Sequence, residues 1–173
     1  ATEALSYDVS PASVEWHLGR LLSRDGRRGL LTKVHDRDAW EGVVEARARA
    51  QGFFAQLEGW LAAGSGGARA LADGERFPQD LAAALQHLSG SVAQATERLA
   101  TVDLRMELKA RGSGLARIGL IVDALAGAGL PGVVRWAEWS RKGAVLRGAP
   151  LSVRADLEKQ LLPIKGTRKL TKA

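Results

Sequence analysis

The chain has 173 residues, 46% of them hydrophobic but only 5% aromatic, with a net charge of +6 and no cysteine. That length suits one domain, or one domain with an appendage, and alanine and leucine must supply most of the core, which favours closely packed helices over sheets. The lack of cysteine excludes disulfides, thiolate catalysis and any cysteine-held cluster within this chain. With no apolar run long enough to cross a membrane and no secretory leader, the expected location is cytoplasmic.

Ser10-Pro11 opens the first expected helix, because a serine hydroxyl can cap exposed amides and proline suits a first helical position. Val14, Leu18, Leu21 and Leu22 follow at helical spacing, and the helix is expected to end near Asp25-Gly26. The stretch RDGRRGLLTKVHDR reads as a loop or short strand rich in positive charge. A second helix starts near Asp36 or Asp38, with Trp40, Val43, Val44, Ala50, Phe53, Phe54, Leu57, Trp60 and Leu61 on one broad apolar face. The glycines of GSGG, Gly64 to Gly67, stop it. Pro78 opens a third, whose leucines Leu81, Leu85, Leu88 and Leu99 carry it as far as Lys109. Leu115, Ile118, Ile121, Val122 and Leu125 define a fourth, ended by GAGLPG.

Four amphipathic helices joined by turn signals predict an antiparallel bundle spanning 1–132. The period changes after Pro131: Val134, Trp136 and Glu138 alternate with Arg135, Ala137 and Trp139, Ser140 to Gly143 turn the chain, and Ala144 to Leu146 return it. A short helix, VRADLEKQLLP, follows Pro150 and ends at Pro163. The predicted fold class is therefore mainly α, a helical bundle with a β-hairpin, short helix and basic tail over 133–173.

No catalytic constellation emerges. His17, His35 and His87 show no metal spacing, so structural or surface roles are the better account of each. Glu41, Glu45, Glu58, Glu97, Asp103 and Glu107 sit at ordinary solvated helix positions. GSGGARALADGE lacks the order of a phosphate-binding loop. RGSGLARIGL does not follow a strand, so a hinge or turn explains its glycines better than a dinucleotide site.

The charge is more informative. From Val133 onward there are ten Lys/Arg against three Asp/Glu, whereas the first 132 residues hold fifteen against sixteen. Such asymmetry fits an anionic partner, nucleic acid above all, or else a solvated basic tail. Arg20, Arg24, Arg27, Arg28, Lys33 and Arg37 gather around the first loop, and Arg135, Arg141, Lys142 and Arg147 populate the hairpin. Trp136 and Trp139 should face opposite sides of a strand, so that one packs and the other is free to stack on a base, unless both belong to the core.

Both ends of the chain carry a resemblance. ATEALSYDVS is similar to the segment after the DEAH box of DinG-type, XPD-like superfamily 2 helicases. VVRWAEW…GAVLRGAPLSVRADLEKQLLPIKGTRKLT resembles the family's return path toward its T-S-A-T-L strand. Val134, Trp136, Ala149, Pro150, Leu151 and Val153 match its order, and Gly166, Thr167, Leu170 and Thr171 resemble the final approach. The resemblance implies an Arch-type insertion between two helicase motifs, with the hairpin returning the chain toward the first motor domain. It implies a wall, gate or wedge that frames single-stranded DNA during 5′-3′ unwinding and offers a surface to regulatory proteins, with no membrane involved.

Walker A and the DEAH box are absent from this chain, so ATP and Mg would belong to the parent's motor domains. The family's iron–sulfur cysteines precede the DEAH box, which leaves a cluster in the parent open. The abrupt ends suggest a piece cut from a longer chain. Arg24, Arg27, Arg28, Arg141 and Lys142 are the expected backbone contacts, and Trp139 the expected stacking residue. The competing reading is a stand-alone helical module that binds protein or nucleic acid without a helicase parent.

Overall fold

The computed structural model describes residues 6–151; the opening ATEAL, the helix expected over VRADLEKQLLP and the basic tail lie outside the described residues. The elements are β1 (Tyr7–Val9), α1 (Pro11–Leu21), α2 (Leu31–Val34), α3 (Arg37–Ala62), β2 (Ala68–Ala70), α4 (Asp80–Glu97), α5 (Val102–Ala126), β3 (Val133–Ser140) and β4 (Gly143–Pro150). The fold is mainly α, with a small antiparallel sheet in the order β1-β4-β3-β2.

Serine and proline start α1 as their chemistry dictates. The Ser10 hydroxyl accepts from the Ser13 amide at 3.0 Å, and the Ser10 amide donates to the Ser13 hydroxyl at 3.0 Å. The helix ends at Leu21, short of the expected Asp25, because Leu22 turns extended at φ −156°. The chain then doubles back, with Ser23 N donating to Arg28 O at 2.8 Å and Leu30 N to Arg20 O at 3.2 Å. Gly29, at φ +114°, passes so near the Leu21 carbonyl that a side chain there would collide with backbone.

Asp36 caps α3 by accepting from the Ala39 amide at 2.9 Å. The buried face of α3 runs through Ala39, Val43, Ala46, Phe53, Leu57 and Leu61. Trp40 and Val44, expected on that face, are exposed instead. Small residues take their place because α4 comes close: a side chain at Gly42 would meet Leu88 Cδ1 at 2.9 Å.

The third expected helix does not reach Lys109. It stops at Glu97, and α5 begins at Val102 and runs 25 residues to Ala126. Gly112 and Gly114 therefore lie inside a helix, not at a hinge. Each costs about 1 kcal/mol of helix propensity against alanine, and close packing offsets that cost. A Cβ on Gly112 would meet Val92 Cγ1 at 3.0 Å, and one on Gly114 would meet the His17 ring at 3.0 Å.

β3 and β4 pair from Val133↔Pro150 to Ser140↔Gly143, so Arg141 and Lys142 form the turn. β1 and β2 were not foreseen, since runs of three residues are too short to show alternation. β1 lies on β4 (Val9↔Leu146) and β2 on β3 (Ala70↔Trp136). One sheet face sends Val9, Ala137, Ala144 and Leu146 into the core shared with the helices. The other carries a small cluster of Ala68, Trp136 and Ala149. The two tryptophans of β3 thus part company, Trp136 buried and Trp139 exposed.

Arg135 is the one basic residue of β3 and it points inward. It is only 6% exposed and donates to the carbonyls of Leu125 at 2.9 Å, Gly127 at 3.0 Å and Ala72 at 3.3 Å. A cation here satisfies orphan carbonyls at the end of α5 and complements its dipole. Burial draws the guanidinium pKa downward from its ordinary value. Replacing Arg135 with Met strands these acceptors, and we expect a loss of about 2–4 kcal/mol in urea unfolding; a loss below about 0.5 kcal/mol would show that the carbonyls find other partners. His35 ends α2 in the left-handed region at φ 56°, so His35→Gly should stabilise the chain by up to about 1 kcal/mol in the same assay.

Candidate nucleic-acid interface

An open groove runs between α1, the loop that follows it and the β3–β4 turn. Trp16, Arg20, Arg24, Arg28 and Lys142 line it, together with Glu15 and Asp25. The structure thus brings Arg24 and Arg28 of the first basic cluster to Lys142 of the second, though more than a hundred residues separate them. The β3–β4 turn is seated on the start of α1: a Cβ on Gly143 would lie 3.8 Å from Pro11 Cγ and would clash with the Glu58 carboxylate. Gly143 itself adopts φ +115°, which favours glycine.

The other expected contacts fall beside the groove rather than in it. Arg27 is exposed on the same loop, and Arg141 is exposed next to Lys142, but neither lines the groove. Trp139 is 44% exposed and pairs with Ala144, and it too is absent from the lining. Arg147 is engaged by Glu138 and, at 3.4 Å, by Asp8.

The loop that presents the arginines is internally braced. Asp25 Oδ1 accepts from the Ser23 hydroxyl at 2.6 Å and from the Arg27 amide at 3.0 Å, and the Arg28 amide donates to Ser23 Oγ at 3.0 Å. The Ser23 and Arg27 bonds hold the Asp25 carboxyl below its ordinary pKa, so it stays ionised as a brace. Gly26, at φ +72°, lets the Trp40 ring pack against the loop, 3.2 Å from where a Cβ would stand. This accounts for the partly exposed Trp40.

Glu15 anchors the groove floor. Arg47 grips it along one guanidinium edge, Nε donating to Oε1 at 2.9 Å and Nη2 to Oε2 at 2.6 Å, and Nη2 also donates to the Leu22 carbonyl at 2.7 Å. Arg24 approaches the same carboxylate at 3.2 Å. The Arg47 hydrogen bond, helped by the charges of Arg47 and Arg24, holds the Glu15 carboxyl below its ordinary pKa against the opposing effect of burial. Four cations line the groove against two carboxylates, both already engaged.

Trp16 stands at the rim, 52% exposed. The Arg20 and Arg111 guanidinium carbons each lie 5.2 Å from its ring centroid, one from α1 and one from α5. His17 meets the indole edge-on at 5.1 Å. Burial foremost, and then the charges of Arg111 and Arg117, push the His17 pKa down, so the imidazole is neutral at pH 7. Sequence reasoning counted Arg20 only as part of the first basic cluster and gave Trp16 and Arg111 no role. The signal it could have used is the i,i+4 spacing of Trp16 and Arg20 on one helix face. Arg111 could be placed only by tertiary packing.

Among the described residues no group of three or more His, Asp or Glu side chains could hold a metal ion. His87 lines an acidic groove between α3 and α4, but Arg37 and Arg49 already engage Glu41 and Glu45 there. Among the described residues no helix is long and apolar enough to cross a membrane. Neither a scan against protein-family models nor a search of curated proteins returns a match.

The His17 and Glu15 shifts act in the same direction on stability. The unfolded chain binds a proton at His17 and Glu15 more readily than the folded one, so stability falls as pH drops. The His17 contribution is lost below its ordinary value of 6.5, and the Glu15 contribution below its ordinary 4.5. Urea unfolding should therefore show decreasing stability from pH 7 to pH 5, and His17→Gln should flatten that slope. Glu15→Gln should cost about 1–2 kcal/mol at pH 7 and shrink the further loss below pH 4.5. An unchanged slope in His17→Gln would mean that the imidazole titrates alike in both states.

Proposed function

We propose that this chain is an accessory, Arch-like insertion of an ATP-dependent DNA helicase that helps to frame and guide single-stranded DNA. In this reading the helices form an antiparallel bundle, the β3–β4 hairpin returns the chain toward the first motor domain, and the parent works in the cytoplasm. The motor domains would supply ATP and Mg and drive 5′-3′ movement, and this chain would contribute a charged wall. Regulatory proteins are further candidate partners.

The observation that carries the reading is the convergence of Arg28 and Lys142 on one groove beside an exposed indole. Phosphates are neutralised without regard to sequence, as a strand-guiding surface requires, and unpaired bases offer faces for stacking. A second reading, a module that docks another protein, draws on the apolar groove of Tyr7, Phe77, Leu120, Ile121 and Leu130 beside β1.

Fluorescence anisotropy with labelled single-stranded and duplex oligonucleotides across a salt series tests the proposal. The expected result is preference for the single strand, with affinity falling steeply as salt rises. Arg28→Glu with Lys142→Glu should weaken binding about tenfold or more and lower the salt slope by roughly two. Absence of binding at low salt, or equal affinity for duplex, would turn the account toward the protein-docking module.

A further inference from the structure

We infer that Trp16, flanked by Arg20 and Arg111, is a base-stacking platform for an unpaired nucleotide, in the position that sequence reasoning gave to Trp139. The inference rests on the reading of the groove as a single-strand interface and names the chemistry by which it selects its ligand.

Packing does not account for Trp16. The buried face of α1 is supplied by Val14, Leu18 and Leu21, and the indole projects away from it, 52% exposed. Yet the ring is held in place. His17 is wedged against Gly114 of α5, where even a methyl group would stand 3.0 Å from the imidazole. That contact sets α1 against α5, and with it the position of the neighbouring indole. A platform fixed before binding loses little side-chain freedom when a ligand arrives.

The ring's neighbours give it a ligand preference. Arg20 and Arg111 both approach it at 5.2 Å, and among the described residues neither is paired with a carboxylate. Each guanidinium therefore keeps its charge available to a phosphate beside the ring. Arg28 and Lys142 lie in the groove that Trp16 lines, so backbone and base contacts sit side by side. In a duplex the base faces are occupied by neighbouring bases and cannot reach the indole. A phosphorylated or acidic peptide would use the cations and leave the ring idle. Trp139 is nearly as exposed, at 44%, but among the described residues no guanidinium lies over its ring. It serves as the internal control.

The test measures binding of the chain to two labelled strands of equal length, oligothymidine and a fully abasic strand, at one salt concentration. Stacking is worth about 1–3 kcal/mol per base, so Trp16→Ala should weaken oligothymidine binding by about 5- to 100-fold. It should leave abasic binding unchanged, and Trp16→Phe should retain most of the affinity. Trp139→Ala should alter neither. Equal loss on both strands, with Trp16→Phe as poor as Trp16→Ala, would mean that Trp16 only supports the fold, and unaltered oligothymidine binding in Trp16→Ala would also overturn the platform. In both cases salt-dependent binding by the unsubstituted chain would leave the strand-guiding reading standing. If that chain bound neither strand, or bound an acidic peptide as tightly as oligothymidine, the strand-guiding reading itself would fail, and the platform with it.

Discussion

The grip of Arg47 on Glu15 is the constraint on which the rest of the surface depends. It ties α1 to α3, and through the Leu22 carbonyl it also fixes the point where α1 ends and the basic loop begins. With Glu15 directed to α3 and Val14 and Leu18 directed to the core, the helical period leaves Trp16 facing outward. The same carboxylate restrains Arg24 at 3.2 Å. One partly buried ion pair therefore sets both the aromatic and the cationic components of the groove.

The second component comes from the far end of the chain and depends on the sheet. Arg135 closes the end of α5 from within, which joins β3 to the helices, and Gly143 lets the β3–β4 turn sit on the start of α1. The basic residues of the β3–β4 segment thus divide by environment. Arg135 is spent on buried carbonyls and Arg147 on Glu138 and Asp8, while Lys142 is left to face the groove. Net charge alone could not make this division, because it counts a buried structural cation and an exposed one facing a groove alike.

Local features of the fold were legible in the sequence wherever one residue's chemistry decides the outcome. Ser10-Pro11 and Asp36 cap the helices they were expected to start, and the alternation after Pro131 does mark paired strands. What escaped was decided by contact. Gly112 and Gly114 look like breakers until Val92 and His17 are seen to need the space. The three-residue strands β1 and β2 owe their conformation to the edges they pair with. The two basic clusters could be named from sequence, but not their meeting at the groove, since nothing local records that the β3–β4 turn lies beside α1. Trp139 sits in a strand whose alternation is visible locally, whereas the cations beside Trp16 come partly from a helix about 95 residues away.

A nitrogen-15 correlation spectrum of the chain, titrated with oligothymidine, tests the central claim most directly, because it reports where a strand lies. The account requires the largest shifts at the Trp16 indole N–H, the amides of the Ser23–Arg28 loop and Lys142, with the Trp139 indole unmoved. Shifts centred instead on the apolar groove of Tyr7, Leu120 and Leu130, or spread evenly over the surface, would contradict it.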